Sequence, residues 1–332
     1  MADIARLAGV SESTVSRAIA GSPLVNDETR ERVTKIAAEA RYTVNEAARN
    51  LRRKESRTVD VVIPITEYNR KQMSDPFFLD MIGALADVLT ERGYDLLLSK
   101  TAPWTPGARR NPLQSGRADG MIVIGQDVER DRLRAFIAEH GRTVVWGTQT
   151  DGDAYVAVGS DNERGGWLAA RHLLSSGRRR LAFFGPDTQP EVAERLAGFR
   201  RAHAEAGVAV DERLVRPVPF DAHEAREAVL AFCEGGASFD GICAASDLIA
   251  MTAMGVLGLK GLDVPGDVGV VGYDDIFPAA SANPPLTTVT QSVPRGAEEM
   301  VDALLGLLAG EERRGVMVPT ELVVRQSCGA QA

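Results

Sequence analysis

The chain of 332 residues is 44% hydrophobic, 25% charged and 5% aromatic, a globular composition that excludes collagen-like, coiled-coil and disordered classes and suffices for more than one core. Its net charge of −8 hides a split: residues 1–58 hold 11 of the 38 Lys/Arg and 8 of the 46 Asp/Glu, a net of +3, leaving −11 for the rest. An acidic body argues against a protein that coats nucleic acid, whereas a basic head is the electrostatic footprint of a discrete nucleic-acid contact. No apolar run approaches the ~20 residues of a membrane span, and MADIARLAGV lacks the basic and apolar regions of a signal peptide, so a cytoplasmic, membrane-free protein is expected. Cys233, Cys243 and Cys328 have no CxxC spacing, so free thiols are expected and no metal site.

In chain order, Asp3–Ala8 carries Ile4, Leu7 and Ala8 at i, i+3 and i+4, and Gly9 stands where a left-handed cap would end a helix. Ser11 is a suitable N-cap for Glu12–Ile19, in which Val15, Ala18 and Ile19 share one face and Ser13, Ser16 and Arg17 lie elsewhere. Two short helices joined by a Gly-containing turn make a helix-turn-helix pattern. A third helix opens at Asn26 with two acids in its first turn, and its stripe of Val33, Ile36, Ala37 and Ala40 closes a three-helix core. Spacing alone leaves open a small bundle without function, and Arg52-Arg53-Lys54 could be an ordinary solvated face.

The residues themselves say more. Gly9-Val-Ser-Glu-Ser-Thr-Val-Ser-Arg17, Gly21-Ser-Pro, Thr29-Arg-Glu-Arg-Val33 and Ala47-Ala-Arg-Asn-Leu51 together resemble the headpiece of the LacI/GalR family of bacterial transcription regulators. The resemblance implies that the helix opened by Ser11 enters the major groove of palindromic operator DNA. Glu12 and Ser13 would then occupy the variable base-reading positions and Arg17 would contact a guanine, with Thr14 and Ser16 beside them. It also implies a hinge helix at 46–52 that folds on the operator, with Asn45, Ala48 and Arg52 at the DNA and Leu51 wedged into the minor groove. The alternative for Leu51 is a core leucine, but Arg49, Arg52, Arg53 and Lys54 leave little core for it to join. Family members commonly carry a few more residues ahead of the Asp-Ile-Ala helix, where only Met1 and Ala2 stand here.

From Val59 onward, short apolar runs alternate with helical patterns, as in parallel sheets with crossover helices. Strands are expected at Val59–Ile65, Asp95–Ser99, Gly120–Gly125, Thr143–Gly147, Arg180–Gly185, Gly241–Ser246 and Val268–Tyr273. Helices are expected at Phe78–Arg92, Glu129–His140, Glu163–Ser176, Glu191–Ala206, Ala222–Phe232 and Leu248–Leu257. The fold class is thus α/β, a small all-α head followed by two doubly wound parallel-sheet halves, with ligands expected just beyond the strands' carboxyl ends. Phosphate-loop, dinucleotide, nucleophile-elbow and zinc-protease motifs are absent from the sequence, and His140, His172, His203 and His223 stand singly, as surface or helix-face residues would. Adjacent Asp274 and Asp275 cannot readily flank one glycosidic bond from opposite sides. Binding is the better reading, and no cofactor is implied.

The body also resembles the LacI/GalR family, and through it the periplasmic-binding-protein fold. The matching segments are Asp75-Pro-Phe-Phe78, Ser160-Asp-Asn162, Arg195-Leu-Ala-Gly-Phe199, Ala245-Ser-Asp247, Gly272-Tyr-Asp-Asp275 and Pro285-Leu-Thr-Thr-Val289. This implies a head at 1–44, a hinge helix and linker at 45–58, and an effector-binding core at 59–332. The core would comprise one subdomain of about 59–158 and 288–318 and another of about 159–286 and 319–332. Ligand would lie between them, touching Asp75, Phe77, Phe78, Arg195, Ser246 and Asp274. Carboxylate, guanidinium and aromatic faces suit the hydroxyls and C–H face of a sugar. Trp146, after an apolar strand, supplies either another stacking face or a core side chain, and Asp161 is better placed to cap a helix than to touch ligand. The implied protein is a homodimeric repressor whose small-molecule effector, expected to be a saccharide such as a glucoside with a nucleobase left open, alters hinge folding. The alternative is a solute-binding protein for sugar transport, which the body alone would permit. Val324–Ala332 adds no apolar heptad, so dimers rather than tetramers are expected.

Overall fold

In a computed structural model, residues 1–19, 21–40, 55–64, 75–100, 111–125, 130–149, 155–186 and 189–329 are described. The chain divides into two compact units, Met1–Ser56 and Arg57–Ala332. In the first, α1 (Ala2–Ala8), α2 (Glu12–Ile19) and α3 (Asp27–Glu39) enclose Ile4, Ala5, Ala8, Val15, Ala18, Val25, Val33 and Ala37. Local chemistry sets the helix ends as expected: Gly9 adopts φ 65° after α1, and Asn26 accepts from Thr29 N–H at 2.8 Å. Leu7 departs from its expected place in the core, being 64% exposed. The inward stripe of α1 runs Ile4, Ala5 and Ala8, one residue round the helix from the expected Ile4, Leu7 and Ala8.

The second unit contains two parallel sheets. The first lobe's sheet has the order β11-β5-β4-β3-β1-β2, from β1 (Thr58–Val62), β2 (Asp95–Ser99), β3 (Gly120–Ile124), β4 (Thr143–Trp146), β5 (Val156–Ser160) and β11 (Val316–Val318). One face buries Val59, Val61, Ile122, Val144 and Val158 against α4 (Pro76–Glu91) and α10 (Val293–Leu308), through Met81, Leu85, Met300 and Leu304. The other packs Met121, Val123 and Val145 on Leu133, Phe136 and Ile137 of α5 (Arg130–His140). Helices on both faces explain the continuous apolar strands.

The second lobe's sheet, β7-β6-β8-β9, uses β6 (Leu181–Phe184), β7 (Val215–Arg216), β8 (Gly241–Ala244) and β9 (Gly269–Val271). α6 (Asn162–Ser175) and α7 (Pro190–Glu205) cover one face, and α8 (Ala222–Glu234) and α9 (Asp247–Leu259) the other. α6 and α7 approach closely because a Cβ on Gly166 or Gly198 would collide with the carbonyl of Arg195 or Glu163. β10 (Thr288–Thr290) pairs antiparallel with β12 (Glu321–Val323).

The chain passes between the lobes after β5, after β10 and between β11 and β12. Thr288–Thr290 therefore lies on the second lobe, bridged to its sheet through Asp274 and Thr290, rather than opening the returning part of the first as the resemblance implied. β5, β7, α10 and β10 to β12 are additional to the elements expected from sequence. Of the alternatives expected for the histidines, surface or helix face, His203 takes the second on the inward side of α7: it is 2% exposed, its Nδ1 bonded to the Phe199 carbonyl. Its pKa is lowered by burial. The three cysteines are free, and among the described residues no helix is long and apolar enough to cross a membrane.

Candidate functional site

In the head, Ser11 stands at the mouth of α2, where its Oγ accepts from Thr14 N–H at 3.2 Å and lies 2.8 Å from Ser13 Oγ. Val15 and Ala18 anchor one side of α2 in the core. The opposite side leaves Ser11, Glu12, Ser13 and Arg17 exposed, with Thr14 and Ser16 half-buried. Ser13 and Arg17 are one helical turn apart, so they share a face able to offer a hydroxyl and a forked guanidinium to base edges. Asn45, Ala48, Leu51 and Arg52 lie outside the described residues.

In the core, residues far apart in sequence meet where the lobes join. Asp75 caps α4, accepting from Phe77 N–H at 3.0 Å, which sets Phe77 and Phe78 in the first turn. Their rings meet edge to face at 5.7 Å, and Phe77 lies 6.4 Å from Trp146 while packing on the cores of both lobes. Trp146 is 5% exposed, its ring seated on Gly296 of α10 where a Cβ would collide. It is fixed by packing, like a core side chain.

The second lobe contributes the polar wall. Arg195 is buried, with its guanidinium 3.7 Å from the centre of the Tyr273 ring. Its Nε donates to Asn162 Oδ1 at 2.8 Å and a terminal nitrogen to the Ala245 carbonyl. Ser246 is buried and caps α9, accepting from Ile249 N–H at 3.2 Å. Asp274 is 9% exposed and accepts from Gln291 Nε2. Gln291 Oε1 in turn accepts from Ser160 Oγ at 2.9 Å, joining two of the passages between lobes. Asp161 caps α6 through Arg164 N–H at 3.0 Å, the role its position suggests.

Burial pushes the Asp274 carboxyl well above its usual range; Arg195 pulls it down, and Asp247 and Asp75 push it up. Asp75 is raised by burial, against the Phe77 N–H and with the charge of Asp80. Asp274 is thus within electrostatic range of both Arg195 and Asp75. A cavity of about 650 Å³ reaches Phe77, Asp274 and Thr290 but is walled mainly by α4 and α10, from Asp80 to Glu298, and neither Asp75 nor Arg195 lines it.

Sequence reasoning missed part of the network. Asn162 Nδ2 donates to Thr148 Oγ1 (3.3 Å), and Thr148 donates to Glu194 Oε2 (2.8 Å), tying a first-lobe loop to α7. Ser160 ends β5 and Gln291 follows β10, so the rule about carboxyl ends of strands would have found them had those strands been recognised. No group of three or more potential metal ligands occurs among the described residues. The arrangement suits a neutral, hydroxyl-rich ligand, with carboxylates to accept, a guanidinium and amides to donate, and aromatic rings for an apolar face.

Comparisons with known proteins bear on the family and the fold. Residues 1–45 match the model for bacterial regulatory proteins of the lacI family, and residues 170–328 the periplasmic binding protein-like domain. The HTH-type transcriptional regulator CelR of Thermobifida fusca is 34% identical over 331 residues, covering 98% of this chain and 96% of that protein. A solved complex of transcriptional regulator CelR with cellobiose aligns with a TM-score of 0.72 and 32% identity, over 98% of each chain. The lac repressor dimer bound to operator and an anti-inducer aligns at TM-score 0.84 over 99% of this chain and 98% of that one. At 24% identity that likeness is one of fold.

Proposed function

The chain belongs to the lacI family of bacterial regulatory proteins, a transcriptional regulator rather than an enzyme or a transport receptor, and from that premise we propose that a saccharide bound between the core lobes controls its affinity for operator DNA. The observation that carries this reading is the interlobe cluster of Asp75, Arg195, Gln291 and Asp274 beside Phe77. A ligand bonded to groups of both lobes favours one relative lobe arrangement over another, and such differential affinity is the only means by which a ligand shifts an equilibrium. The effector contacts are assigned to Asp75, Phe77, Phe78, Arg195, Ser246 and Asp274, with Trp146 supporting Phe77 from behind. Because CelR has been solved with cellobiose, a glucose disaccharide is the first candidate.

On the DNA side, α2 reads bases through Glu12, Ser13 and Arg17, and residues 45–58 form the hinge and linker, with Leu51 as wedge. Two-fold symmetric sites call for a two-fold symmetric protein, so the regulator acts as a homodimeric repressor in the cytoplasm. Calorimetric titration of the full chain with cellobiose and a panel of mono- and disaccharides tests the reading. Saturable binding that weakens in Asp274→Ala is expected. Saccharide binding indifferent to Asp274 and Arg195 would remove both from the site.

A further inference from the structure

One buried carboxylate has no place in the site as assembled so far. Asp247, the first residue of α9, has no exposed surface. Its backbone N–H donates to the Tyr273 carbonyl at 2.7 Å. Its Oδ2 accepts from Ile276 N–H at 3.0 Å, and its Oδ1 from the Thr288 hydroxyl. The Asp275 backbone N–H also favours the charged form of the same carboxylate. Between the anchors at Tyr273 and Ile276 lie Asp274 and Asp275, with φ of 122° and 61°. Such backbone is unfavourable for residues with a Cβ and persists only where surrounding contacts enforce it. The carboxylate also sits so close to Gly272 that a Cβ there would collide with Oδ1.

We propose that Asp247 is a positioning residue of the effector site: it clamps the left-handed turn that presents Asp274 to the cleft and ties that turn to the passage strand β10. The proposal rests on the effector reading of Asp274 given above. It makes Asp247 act through Asp274, without touching ligand itself.

The charges around the clamp give it a second signature. Burial lifts Asp247 to about 7, with the Asp275 carboxylate pushing the same way and the Thr288, Ile276 and Asp275 donors opposing. Asp275 is paired with Arg325 at 2.6 Å, and Asp274 faces Arg195, Asp75 and Asp247. A neutral Asp247 can keep its backbone bonds and reverse the Thr288 bond, donating to Oγ1 instead of accepting from it. Because its folded pKa lies above the usual value, its contribution to stability is full below the unfolded value near 4 and is lost as pH rises through about 7. Asparagine reproduces the neutral form, with one acceptor for the Ile276 N–H and an amide donor for Thr288.

The test compares Asp247→Ala and Asp247→Asn in the full chain. Amide hydrogen exchange at Ile276 without ligand reads the clamp, calorimetric titration with cellobiose reads the site, and urea unfolding from pH 5 to 8 reads the charge. Asp247→Ala is expected to speed Ile276 exchange and to weaken cellobiose binding, each by about 10-fold or more, the effect of losing several hydrogen bonds to one buried carboxyl group. Asp247→Asn is expected to match wild type in both at pH 6 and to lose the decline in stability through pH 7. Wild-type exchange and affinity in Asp247→Ala would overturn the proposal. Should the alanine variant fail to fold, an undiminished pH dependence or a faster Ile276 exchange in Asp247→Asn would overturn it equally. If Asp274→Ala also leaves cellobiose affinity unmoved, the effector reading fails while the exchange result still decides the clamp.

Discussion

The head and the core present their candidate functional side chains in opposite ways. On α2, Glu12, Ser13 and Arg17 stand exposed on a helix whose other side is held by Val15 and Ala18. In the core, Trp146, Arg195, Ser246 and Asp274 are each less than one-tenth exposed and already engaged with protein partners. The difference teaches where function and stability can be separated. A head residue can be removed with little change in what the protein buries, whereas a core site residue is also part of the structure that holds the lobes.

The largest break in that comparison should come from Trp146→Ala. The substitution leaves a void between β4 and α10, and truncating a buried aromatic typically costs about 3–5 kcal/mol. Chemical denaturation is expected to show that loss, with saccharide affinity falling alongside because Phe77 loses its neighbour. A variant as stable as wild type would place the ring outside the core.

Next is Arg195→Ala, which strips charged donors from Asn162 and the Ala245 carbonyl and leaves Asp274 with less compensation. Loss of roughly 1.5–3 kcal/mol in effector binding, about 10-fold or more, is expected, together with a lowered melting temperature. Operator binding without effector should survive, because the head is untouched. Loss of both activities in a stably folded variant would count against separate roles for head and core.

Arg17→Ala should act in the opposite sense. Operator affinity is expected to fall by about 1–3 kcal/mol, with preference relaxed at one base pair per half-site, while the melting temperature stays within error. Titration against substituted operators separates the possibilities, since equal loss on every sequence would reassign Arg17 to a phosphate contact. The smallest effect is expected of Glu194→Gln. Burial raises the Glu194 carboxyl, so its contribution to stability is present at low pH and lost as pH rises through the raised value; glutamine can still accept from Thr148. The variant should flatten that pH dependence and change stability by no more than ~1 kcal/mol.

The same contrast governs what the sequence made legible. The head was readable because its signals are local: Gly9, Ser11 and Asn26 act within a turn of themselves. Leu7 was misplaced because Ile4, Leu7 and Ala8 fit a helical stripe as well as Ile4, Ala5 and Ala8 do. The first lobe's long apolar strands were equally plain, since covering both sheet faces removes any alternation. β5 escaped because Val156-Ala-Val-Gly-Ser160 is short and contains glycine, and β10 to β12 because three residues carry almost no period. At the site, Asp274, Arg195 and Asp75 followed from the resemblance. Their supports did not: Ser160 and Gln291 are 131 positions apart, and only the folded passages between lobes bring them together. Asp247 stood within a recognised segment, yet its role depends on the left-handed turn at Asp274 and Asp275, which no local pattern announces.

The central claim is that ligand between the lobes sets the affinity of the head for DNA. Its most direct test is operator affinity of the full chain, measured at fixed salt with and without a saturating concentration of the saccharide that binds most tightly in calorimetry. The account predicts a change of about 5- to 150-fold in the wild-type protein, the usual range of coupling between sites, and no change in Asp274→Ala at the same concentration. Operator affinity that stays constant while saccharide demonstrably occupies the wild-type core would contradict it.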